Sequence, residues 1–167
     1  MIIASLDPGK HLCGWAVFAP GLVACGYSPF GLVSGIIAEH VDKVDRLYVE
    51  LPFIRPQRRA KGSPNDLIPL AFNAGLVSGE LGCPTFKVLP HEWKGNIKKT
   101  KLLENYIVHR RIKAALGVEE LGIYETALAE VSKDLRHNIA DAVGVGCHAL
   151  GIRIRRTSVQ AQGKKER

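Results

Sequence analysis

The stretch Met1–Ala19, MIIASLDPGKHLCGWAVFA, constrains the fold more than any other part of the chain. Met1–Leu6 is an apolar run that ends in an acid, Asp7. Pro8-Gly9 then turn the chain into a second apolar run, Cys13–Ala19. This is the pattern of two strands joined by a short loop. A strand so uniformly apolar belongs near the centre of a sheet, covered on both faces. A carboxylate at the end of such a strand is costly unless something pairs with it. Turn capping, a salt bridge or a divalent metal each satisfies it.

The chain then repeats the strand pattern. Gly21–Tyr27 is a third apolar run, cut off by Ser28-Pro29, so three strands in meander order are expected. Leu32–Val41 reads as a helix. Asp45–Leu51 (DRLYVEL) is a fourth strand, with Leu47, Val49 and Leu51 on one face and Tyr48 and Glu50 on the other. Pro52 stops it. Gln57–Pro64 (QRRAKGSP) is a basic loop, and Asn65–Leu81 is helical, with small residues at helical spacing. Pro84–Leu89 is a fifth strand and Pro90–Asn96 a turn. Lys98–Leu116 is a long basic helix, Val118–Val131 another helix, and His137–Ile152 an apolar last helix. Strands followed by alternating strands and helices make an α/β fold, a mixed sheet layered by helices. Residues 1–153 are expected to form one domain and 154–167 a basic tail without a fold of its own.

The bulk numbers narrow the function classes. The 167 residues suffice for one domain with a real core, and the net charge of +7 suits an anionic partner such as nucleic acid. No apolar stretch is long enough to span a membrane, and Met1 leads into a strand rather than a basic signal region, so a cytoplasmic protein is expected. Cys13, Cys25, Cys83 and Cys147 are scattered singly, which indicates neither a zinc site nor a disulfide framework.

The chemistry rests on acids in apolar settings. Asp7 and Glu50 end separate apolar strands, and their carboxylates converge if those strands are neighbours. Asp141 lies in HNIADAV on the last helix, where Asn138, three residues earlier, faces the same way. Close carboxylates repel unless a cation sits between them. Mg²⁺ or Mn²⁺ takes such hard oxygen ligands, and metal ions so held can work on a phosphodiester. Each residue also has a plainer reading. Glu50 can be an exposed strand-end acid, Asp141 can pair with Arg136, and His137 and Asn138 can cap the last helix. Phe53 and Trp93 can be packing residues, and the basic residues of Lys98–Lys113 a solvated face.

Taken in order, the DPG hairpin with GWAVF after it, VELP (Val49–Pro52), VLPHEWKGN (Val88–Asn96) before a basic helix, and ADAVGVG (Ala140–Gly146) resemble the RuvC-type Holliday-junction resolvases. The likeness runs from Ile2 to about Leu150 and is nearest the phage-like branch of that RNase H-like nuclease superfamily. It implies an RNase H-like five-stranded sheet, a homodimer, and Mg²⁺-dependent paired nicking of four-way DNA junctions in a bacterial cell or phage-infected host, with Mn²⁺ also supporting activity. It implies Asp7, Glu50 and Asp141 as catalytic carboxylates and metal ligands. Asn138 stands where the family commonly has a further Asp or a His, so Asn138, His137 or Asp134 is the expected fourth ligand. Phe53 matches an aromatic placed by the junction centre, and the helix around Ala71–Leu81 matches the dimer interface. Arg58, Arg59, Lys61, Lys98, Lys99, Lys101 and Arg110 are the expected DNA contacts. Competing classes are an actin-type kinase domain, which needs a second lobe that this length does not supply, a branched-DNA binding protein without catalysis, and another RNase H-like nuclease.

Overall fold

The computed structural model describes residues 1–51, 64–95, 97, 103–152 and 154. The opening hairpin is formed by β1 (Ile3–Pro8) and β2 (Leu12–Phe18), closed by Gly9 N–H donating to Leu12 O at 3.0 Å. β3 (Leu22–Pro29) extends it antiparallel, and β4 (Arg46–Glu50) and β5 (Thr85–Val88) add parallel strands on the other side. The spatial order is β3-β2-β1-β4-β5, so the most apolar strand, β1, is central. The third strand runs on through Ser28-Pro29 instead of stopping before it. β3 is an edge strand, where a proline costs no ladder bond.

Alternation along the strands sorts the core onto both sheet faces. Ala4, Leu6, Val17, Leu47 and Val49 pack with Val33 and Ile37 of α1 (Phe30–His40) and Val77 of α2 (Pro64–Leu81). Ile3, Ala16 and Phe18 face the other way, toward Ile139, Val143 and Cys147 of α6 (Arg136–Ala149). Ile112 of α4 (Ile107–Ala115) and Tyr124 of α5 (Val118–Ala129) complete that layer. This is the mixed five-stranded sheet layered by helices that the pattern of elements predicts.

Two connections differ from expectation. The segment after β5 contains a one-turn helix, α3 (Pro90–Trp93), with Glu92 accepting from Leu89 N–H at 2.6 Å. The long basic helix expected over Lys98–Leu116 is, within the described residues, a 3₁₀ turn at Leu103–Asn105 followed by α4. The break falls at Tyr106, whose backbone is extended (φ −80°, ψ 110°) and whose side chain is wholly buried. A continuous helix is given up there to send one phenol inward.

Candidate active site

Asp7 and Glu50 lie at the C-terminal ends of neighbouring parallel strands. Leu6 is opposite Val49 in the register, and the next residue on each strand is the acid. Both side chains point to the α6 face, because alternate residues on each strand do. α6 is held close there by two devices. Ser5, on the same face of β1, donates its Oγ–H to Ala142 O at 2.8 Å. A Cβ on Gly14 of β2 would stand 2.2 Å from the Asn138 carbonyl oxygen, so only glycine admits the first turn of α6. Asp141 is thereby set over the strand ends. Among the described residues, Asp7, Glu50 and Asp141 bring carboxylate oxygens within 4.8 Å of one another. Asp7 and Glu50 are only 7% exposed and Asp141 is 0% exposed, which removes the reading of Glu50 as a surface acid. Arg136 donates to Val131 O at 3.2 Å, a bond to the backbone and not to Asp141.

Among the described residues, Lys94, Trp93 and Tyr106 donate to the acids. The Lys94 ammonium, itself buried, donates to Glu50 Oε1 at 2.9 Å, Glu50 Oε2 at 3.1 Å and Asp141 Oδ2 at 3.2 Å. Trp93 Nε1–H donates to Glu50 Oε2 at 2.8 Å, and its ring lies 4.6 Å beneath the Lys94 ammonium. The Tyr106 hydroxyl donates to Asp141 Oδ1. Burial, with the Asp141 charge adding to it, holds the Tyr106 phenol protonated far above the ordinary range, so it stays a donor.

The donor set fits a hard divalent cation. Three buried carboxylates this close repel one another, and among the described residues the Lys94 ammonium lies between two of them. Their converging oxygens make a cradle of the kind Mg²⁺ or Mn²⁺ takes. It stands at the carboxyl ends of parallel strands, where open α/β sheets commonly bind ligands.

No protein-family model and no curated protein matches the sequence. Solved structures do match by shape. "T. thermophilus RuvC in complex with Holliday junction substrate" superimposes with a TM-score of 0.57 at 19% identity, over 92% of this chain and 96% of that one. A second Thermus thermophilus RuvC structure gives 0.51 at 16% identity, over 91% of this chain and 98% of that one. The chain has a RuvC-type fold.

Within this RuvC-type, RNase H-like framework the expected residues divide clearly. Asp7, Glu50 and Asp141 come together. Asn138 is half-buried in the first turn of α6, one turn before Asp141. His137 is half-buried beside it, and neither His137 nor Asp134 belongs to the acid cluster. Asp134 is exposed, and a hydrogen bond from Ser132 lowers its pKa. Arg110 is exposed on α4, one turn past Tyr106. Lys113, counted with the basic face, pairs with Glu125 of α5 at 2.5 Å. Phe53, Arg58, Arg59, Lys61, Lys98, Lys99 and Lys101 lie outside the described residues.

Sequence reasoning missed Lys94 and Tyr106, and it read Trp93 as a packing residue. Trp93 does pack, since a Cβ on Gly144 of α6 would meet its ring at 2.2 Å, but it also binds Glu50. The available signal was position. Trp93-Lys94 come one helical turn after β5, the neighbour of β4, which ends opposite Glu50. Tyr106 carried no signal, because a tyrosine among Leu and Ile in a helical pattern reads as core.

Proposed function

We propose that the chain is a divalent-metal-dependent endonuclease that resolves four-way DNA junctions by paired nicks. One observation carries the reading: in a RuvC-type fold, three buried carboxylates from β1, β4 and α6 converge within 4.8 Å. Asp7, Glu50 and Asp141 hold Mg²⁺, or Mn²⁺ in its place, with the Asn138 amide oxygen as a weaker neutral ligand. Bound there, such an ion supplies an activated water and stabilises the leaving oxygen of a phosphodiester. Trp93 and Tyr106 fix the rotamers of Glu50 and Asp141, so the ligands need little reorganisation when the cation arrives. The net charge of +7 and exposed Arg110 attract the DNA backbone, and Arg58, Arg59, Lys61, Lys98, Lys99 and Lys101 are further candidates for phosphate contact, with Phe53 a candidate for contact with the junction. The Thermus thermophilus RuvC structure holding a Holliday junction substrate supports branched DNA as the partner.

A labelled four-way junction incubated with Mg²⁺ tests this. Wild type is expected to nick it in symmetric pairs. Asp7→Asn, Glu50→Gln and Asp141→Asn should each lose cleavage yet still shift the junction in a gel, because the acids hold metal while Lys and Arg hold DNA. A variant that cleaves at the wild-type rate is not a ligand. The bonds from Lys94 to both Glu50 and Asp141 favour a second reading, in which the cluster is a structural ion-pair network in a junction-binding protein. Binding by wild type without Mg²⁺-dependent cleavage would select it.

A further inference from the structure

The donors around the acids are of two kinds. Trp93 Nε1–H and the Tyr106 hydroxyl are neutral, and both are compatible with a cation on the far side of the carboxylates. Lys94 is different. Its ammonium is a full charge, buried to 8% exposure, and it reaches both Glu50 oxygens and Asp141 Oδ2 at 2.9 to 3.2 Å. It therefore already stands as a bridging cation between two of the three acids. A dication gathered by the same oxygens would lie within a few ångströms of it, in surroundings too dry to screen the repulsion. Both cannot hold those oxygens at full strength.

Resting on the reading of the cluster as a metal site, we propose that Lys94 is a built-in counter-ion. Its ammonium holds the Glu50–Asp141 position in the metal-free protein and must leave it for a divalent ion to bind. The device has two consequences. The metal-free protein keeps its buried acids neutralised in part and stays folded. Metal affinity is set below what three acids alone would give, because each binding event must displace an ammonium. Lys94 is suited to moving. It lies one residue past the end of the one-turn α3, on a flexible four-carbon stem, with its backbone fixed by its N–H to Pro90 O at 3.1 Å.

The test is Mn²⁺ binding by calorimetry on the full chain, in wild type, Lys94→Met, Lys94→Arg and Asp7→Asn. Lys94→Met is expected to bind Mn²⁺ about tenfold more tightly or better, since a repelling charge is gone. Lys94→Arg should stay near wild type, and Asp7→Asn should weaken binding. Thermal unfolding gives a readout that survives poor folding of the variant: Lys94→Met should melt lower than wild type in EDTA and gain more from Mn²⁺. In wild type, Mg²⁺ should change the emission of Trp93 as the ammonium leaves its ring, a change absent in Trp93→Phe. Asp7-dependent Mn²⁺ binding that Lys94→Met leaves unchanged within about twofold, or that weakens, overturns the counter-ion role alone. No Asp7-dependent binding in either protein overturns the metal site and this inference together.

Discussion

Asp141 is fully buried and takes Lys94 on one oxygen and Tyr106 on the other, so its surroundings are as specified as those of any core residue. Removing the phenol takes one donor away from that buried carboxylate. Tyr106→Phe should lower metal-free stability by about 2 kcal/mol in urea unfolding, the scale of a hydrogen bond to a charged group. The same residue predicts an alkaline limit. Its pKa is raised in the folded state, first by burial and then by Asp141, so its contribution is complete below the ordinary value of 10.0 and is lost as pH rises above it. The buried thiols of Cys25 and Cys147, pushed by burial from 9.0 to about 12, act in the same direction from pH 9 upward. Melting temperature should therefore fall above pH 9, and the fall above pH 10 should be shallower in Tyr106→Phe. Equal slopes in the two proteins would remove Tyr106 from the account. Asn138 raises a separate question, since it offers the site no charge. Asn138→Asp should lower the Mg²⁺ concentration needed for half-maximal cleavage, while His137→Ala should change it little. A large loss in His137→Ala with no gain in Asn138→Asp would assign the fourth ligand to the imidazole.

At the scale of elements, the site depends on how closely α6 lies on the sheet. That approach is set where side chains are missing. Gly14 faces the backbone of Asn138, which cannot move without shifting α6, whereas Gly144 faces the ring of Trp93, which can rotate. The two alanine variants should separate accordingly. Gly14→Ala should cost about 3 kcal/mol, the upper end of overpacking, and disturb all three acids through α6. Gly144→Ala should cost less stability but push the indole off Glu50, visible as a shifted Trp emission. Comparable losses of stability would mean that α6 moves as easily as the ring. The one-turn α3 and the break before α4 serve the same end, since they deliver Trp93 and Tyr106 to the acids from the connection between β5 and α4.

At the scale of the molecule, one face of α2 is exposed among the described residues. Ile68, Phe72 and Leu76 are 66%, 69% and 41% exposed at four-residue spacing, with Ala71, Gly75 and Gly79 exposed alongside them. A helical stripe of large and small apolar residues fits a second copy of itself across a two-fold axis, and two equivalent nicks need two equivalent sites. We propose this face as the homodimer contact. Phe72→Glu should halve the mass seen by sedimentation and convert paired nicks into single ones, with the fold intact by circular dichroism. A wild-type monomer with full paired cleavage would reject it.

Much of this was legible in the chain itself, and the reason is periodicity. Alternation in DRLYVEL put Glu50 opposite in sense to Leu47 and Val49, and the unbroken apolar run of Met1–Leu6 made β1 central with Asp7 at its end. The spacing of Asn138 and Asp141 set both on one side of α6. Those are local rules, and they carried the sheet, its layers and the three acids. What periodicity cannot encode is contact between segments far apart in the chain. That Glu50 and Asp141 share Lys94, that a tyrosine in a helical pattern turns inward, and that α6 meets β2 at Gly14 are outcomes of packing. Partial charges buried together must be satisfied by whatever donors the fold brings within reach, and only the tertiary structure decides which donors those are.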